Sequence, residues 1–78
     1  MKDVGLDDYY DLIIILGKAS VLVEQYYYQF SDDQLESIDE FYETVFFHIG
    51  NRSPRVTVLK ELEGMIRYID AELEKMNI

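Results

Sequence analysis

Residues 12–30 read LIIILGKASVLVEQYYYQF, and the fold turns on whether this stretch is one helix or two strands. Its composition favours strands, because isoleucine, valine and tyrosine suit a pleated surface. Gly17-Lys18 would then be the turn of a hairpin pairing Leu12–Leu16 with Val21–Tyr28. The polar residues decide against that. Asp7, Asp11, Lys18, Gln25 and Gln29 fall on one narrow stripe when each residue is turned by about 100°. The apolar set Leu12, Leu16, Ala19, Val23, Tyr26 and Phe30 recurs at alternating spacings of four and three. A helix produces both patterns and a strand neither. The expectation is a first helix over about residues 6–30.

Two further stripes of the same kind lie downstream. Leu35, Ile38, Tyr42, Val45 and Ile49 mark a second helix over 32–49, and Leu59, Leu62, Ile66, Ile69, Leu73 and Met76 a third over 54–77. The boundaries carry their own signals. Ser31 with Gln34 three residues on reads as a capping box, and Asp32 and Asp33 suit the positive end of the helix dipole. Gly50 is suited to the left-handed position that closes a helix. Ser53 reads as the N-cap of the third helix, with Pro54 at its first position. Connections as short as Ser31 and Gly50–Ser53 make successive helices antiparallel neighbours. The reading is therefore an all-α, up-down-up three-helix bundle occupying residues 1–78 as one domain.

The first helix carries more apolar surface than that bundle needs. Tyr9, Ile13 and Tyr27 widen its stripe to about half the circumference, whereas one neighbour requires an arc of about 100°. Docking these arcs in a symmetric pair would bury the surplus, so a homodimer through the first helix is expected. Gly17 and Gly64, both mid-helix, each cost roughly 1 kcal/mol against alanine. Each marks either a kink or close helix crossing at a partner surface, or room for a bulky neighbour.

Composition narrows the functional classes. The chain has no cysteine, so neither a disulfide nor a thiolate metal site supports it. Its longest apolar run, Leu12–Leu16, is far short of a membrane span, and Lys2, Asp3, Asp7, Asp8 and Asp11 lack the order of a signal peptide. A cytoplasmic location without membrane contact is expected. The net charge of −9 is uneven: residues 1–50 hold eleven acids against Lys2 and Lys18, while residues 51–78 balance five acids with five bases. Such a surface disfavours direct contact with nucleic acid and favours a basic protein partner.

No constellation points to catalysis. Glu36, Asp39, Glu40 and Glu43 share one helical face but turn away from the apolar stripe, and no Glu-x-x-His pair accompanies them, so no metal or cofactor is expected. His48, the one histidine, suits the negative end of the second helix. Arg52, Ser53 and Arg55 form the one locally basic spot and open onto a helix N-terminus, a weak candidate for an anion. Phe47 projects among Glu36, Glu40 and Glu43, where a helix of a plain monomer has no use for phenylalanine; exposed aromatics commonly anchor binding surfaces. The expected function is thus non-enzymatic. Asp32, Asp33, Glu36, Asp39, Glu40 and Glu43 would steer a basic, nucleic-acid-binding protein onto Phe47 and inhibit or regulate it. By analogy of charge and size alone, phage-encoded inhibitors and nucleic-acid mimics act in this way. The alternatives are a self-assembling structural module and, behind it, a small anionic-ligand binder.

Overall fold

Ser31 sets the start of the second helix as its sequence implies. Its hydroxyl oxygen accepts from the Gln34 amide at 3.2 Å, and Gln34 Oε1 accepts from the Ser31 amide at 2.8 Å. Two of the free amides that open the helix are satisfied in this way. The protein, seen in a computed structural model that describes residues 5–76, has three α-helices among those residues and no strand. They are α1 (Tyr10–Gln25), α2 (Asp32–Gly50) and α3 (Arg55–Lys75), with 3₁₀ turns at Leu6–Tyr9 and Tyr27–Gln29.

Helix boundaries depart from the expected ones in ways that geometry explains. The first helix does not run to Phe30: α1 stops at Gln25, and the chain tightens into the turn Tyr27–Gln29. A single residue, Ser31, cannot reverse the chain between two full helices. Unwinding the last turn leaves Phe30 extended (φ −80°, ψ 141°), with its ring in the core. At the other end of α2, Gly50 stays helical and Arg52 takes the left-handed conformation (φ 55°). The Arg52 amide donates to Ile49 O at 3.1 Å and the Ser53 amide to His48 O at 2.9 Å, the paired bonds of a Schellman closure. α3 starts one residue late. Pro54 is the extended residue before the helix, and Ser53, expected as its cap, instead places Oγ 3.0 Å from His48 Nδ1. The expected end at residue 77 lies outside the described residues.

The closure makes a prediction, because a side chain in the left-handed region costs about 1 kcal/mol that glycine avoids. Arg52→Gly forfeits the bond from Arg52 Nη1 to Ile49 O, 2.8 Å, which is only partly buried. The expected net gain is small, at most about 0.5 kcal/mol, read as a slightly higher denaturation midpoint in urea. A lower midpoint would mean that the side-chain bond outweighs the backbone conformation.

The helices pack up-down-up into a bundle 48 Å long and 19 by 16 Å across. α3 is the central element, packing closely along α2 and also against α1. α1 and α2 are tied by Tyr42, whose hydroxyl donates to Ser20 Oγ at 2.6 Å. Gln34 Nε2 donates to Glu72 Oε1 at 2.9 Å, joining the start of α2 to the end of α3 as antiparallel packing requires. At the opposite end the Tyr9 hydroxyl donates to Ser53 O, fastening the turn before α1 to the α2–α3 connection.

The core holds Leu12, Leu16 and Ala19 of α1, Ile38, Val45 and Ile49 of α2, and Val58, Leu62, Met65, Ile69 and Leu73 of α3, closed by Tyr9 and Phe30. For α3 this stripe is rotated from the expected one: Val58 and Met65 are fully buried, while Leu59 and Ile66 are only half-buried. The two interior glycines separate cleanly. A Cβ on Gly64 would lie 3.4 Å from the Phe41 ring, which packs there beside Tyr68, so Gly64 makes room for a bulky neighbour. Among the described residues nothing lies within 4 Å of a Cβ on Gly17, and no packing among them calls for glycine there.

Candidate protein-binding face

The apolar stripe of α2 buries Ile38, Val45 and Ile49, so helical periodicity leaves Asp32, Asp33, Glu36, Asp39, Glu40 and Glu43 on the outer side, where all six are exposed. Ion pairs among the described residues join Asp11 to Arg55, Glu63 to Arg67 and Glu72 to Lys75, none of them on α2. The six carboxylates of α2 therefore face solvent with no ion-pair partner among the described residues. They spread along the helix, and no three metal-ligating side chains converge among the described residues.

Aromatic rings interrupt this acidic face near its C-terminal end. Phe47 is 64% exposed, with its ring edge-on to His48. Phe46, which the sequence reading passed over, is 57% exposed and lies parallel to Tyr42 with ring centroids 6.4 Å apart. Its position one turn beyond Tyr42 and outside the Ile38–Val45–Ile49 stripe was the available signal. Where α2 meets α3, a groove of about 260 Å³ is lined by Ser37, Glu40, Phe41, Thr44, Glu61 and Tyr68. Glu61 thus adds an acid from the next helix, one that periodicity within α2 could not supply.

The basic spot is arranged differently. Arg55 Nη1 lies 2.6 Å from Asp11 Oδ1 and 2.8 Å from Asp8 O, and Nη2 meets Asp11 Oδ2, so its guanidinium faces the start of α1. Arg52 turns back onto Ile49 O, and Ser53 Oγ faces His48. The three residues are close in sequence, but each is engaged by a different element. An incoming anion would have to displace Asp11 from Arg55.

These pairs also set the pH response. The bidentate bonds from Arg55 hold the Asp11 carboxyl below the usual aspartate range and raise Arg55 in turn. Glu72 is lowered first by the bond from Gln34 and then by Lys75. A carboxyl lowered in the folded state contributes stability at neutral pH that is lost as pH falls through its folded pKa. Asp11→Asn is therefore expected to flatten the fall in stability between about pH 5 and about pH 2, in urea titrations across that range. Parallel curves for variant and parent would show that the pair contributes nothing.

No helix among the described residues is long and apolar enough to cross a membrane. No protein-family model matches the chain, and no curated protein or solved structure matches it.

Proposed function

We propose that this chain is a non-enzymatic binding protein whose α2 face engages, and inhibits or regulates, a basic protein, with nucleic-acid-binding proteins as the target class. The observation that carries this reading is the row of six carboxylates, without an ion-pair partner among the described residues, beside exposed Phe46 and Phe47. A uniform negative field attracts lysine- and arginine-rich surfaces and speeds encounter, and aromatic anchors then supply contact that charge alone does not. The groove between Glu40 and Glu61 offers a partner's lysine or arginine two carboxylates and the Phe41 and Tyr68 rings together.

The test is a pull-down from nuclease-treated lysate of the source organism, washed at low and then high salt. Retention of a basic nucleic-acid-binding protein at low salt, with release at high salt, is expected. Recovery of only further copies of the chain at both salts would count against the reading. A second reading, self-association through the first helix, is favoured by the apolar side chains that α1 leaves exposed. The anion-ligand reading falls behind both, since Asp11 already occupies Arg55.

A further inference from the structure

We infer that the outward side of α1 is the contact between two copies of this chain, crossing antiparallel at Gly17; this rests on the self-association reading and specifies its geometry. Tyr10, Ile14 and Val21 share the solvent side of α1, 67%, 45% and 64% exposed, and helical periodicity places Gly17 between them. An apolar groove of about 210 Å³, lined by Ile15, Lys18, Ala19 and Leu22 of α1 and Ile66 and Ile69 of α3, lies on the other side of the Asp11–Lys18–Gln25 stripe and is separate from this ridge. With Ile13, 41% exposed and next to it round the helix, the ridge presents on the order of 400 Å² of apolar surface, within the range of the largest patch that a monomer leaves open.

Charge selects a second copy as the occupant. A chain of net charge −9 can approach itself only where its own acids are absent. From Leu12 to Val23 the one charged side chain is Lys18, and the neighbouring Asp11 is neutralised by Arg55. The acids of α2 project from a different helix and stay clear of this contact. Charge also sets direction. A parallel pair would bring Asp7, Asp8 and Asp11 of both copies together, whereas an antiparallel pair sets them against the far end of the partner helix, where Glu24 is the one acid. The same ridge on each copy meets its equivalent across a two-fold axis, as a symmetric contact requires. Gly17 then has the use that packing among the described residues does not give it: without a Cβ, two backbones can cross closely.

Sedimentation velocity over a concentration series tests association, with Gly17→Leu, Gly17→Ala and the parent compared. The parent is expected to dimerise. Gly17→Leu is expected to weaken the dimer at least about tenfold, which is about 1.4 kcal/mol, while its helix content and melting are kept; Gly17→Ala should lie between. A parent monomeric throughout would overturn both the self-association reading and this geometry. A dimer indifferent to Gly17→Leu would overturn the crossing alone. Because the chain has no cysteine, single-cysteine variants report direction. Tyr10→Cys mixed with Glu24→Cys should oxidise to a mixed disulfide dimer, and Tyr10→Cys alone should not. Efficient self-linking of Tyr10→Cys would overturn the antiparallel arrangement.

Discussion

Leu62→Ala and Met65→Ala are each expected to cost about 2–5 kcal/mol, the range for deleting a large buried side chain where neighbours only partly collapse. Both residues are essentially inaccessible, and both lie on α3, the helix that packs against each of the others. A cavity there removes contacts on two sides at once. A chain of this length has in total roughly 4–12 kcal/mol of stability, so either substitution takes a large fraction. No disulfide is present to limit the loss. Ile66→Ala should cost clearly less, because Ile66 is half-buried at the margin of the α1–α3 groove and part of its side chain already faces water. Urea denaturation followed by circular dichroism orders the three. If Ile66→Ala proved as damaging as Met65→Ala, the core of α3 would be centred one residue further along.

That one-residue difference shows where the sequence was legible and where it was not. The spacing Leu59–Leu62–Ile66–Ile69 and the spacing Val58–Leu62–Met65–Ile69 both keep side chains on one helical face. Periodicity establishes that α3 has a buried face. The centre of that face depends on the angle at which α1 and α2 meet the helix, which no local pattern encodes. The capping box at Ser31 was readable because all of its partners lie within four residues. The closure of α2 is equally local, yet it was misplaced: glycine is the commonest left-handed residue, but here the reversal comes two residues later and Arg52 takes the position. Arg55 could be read as open to an anion because its partner, Asp11, is 44 residues away in sequence. The acidic face was legible by exclusion, since residues outside an apolar stripe must face water. Glu61 joined it only through the packing of α3 on α2.

The second large effect concerns that face and separates folding from binding. Glu36, Glu40 and Glu43 stand at spacings of four and three on one side of α2, so each repels its neighbours by about 0.2–0.5 kcal/mol. None is paired within the chain among the described residues. Changing all three to glutamine keeps shape and helix propensity while removing the repulsion, so the melting temperature should stay equal or rise. Partner retention should move the other way. A protein drawn to this face loses three of its nearest attractive charges, and within a Debye length of about 8–10 Å these act together. Affinity at low salt is expected to fall at least about tenfold, and its salt dependence should become shallower. Phe47→Ala, by contrast, should weaken retention at every salt concentration, because an aromatic anchor acts through desolvated contact that ions do not screen. A triple variant that folds as well as the parent and retains partners equally would show that these acids serve only to keep the chain hydrated. A triple variant that unfolds would show instead that the carboxylates hold α2 in place, against their exposed and unpaired geometry.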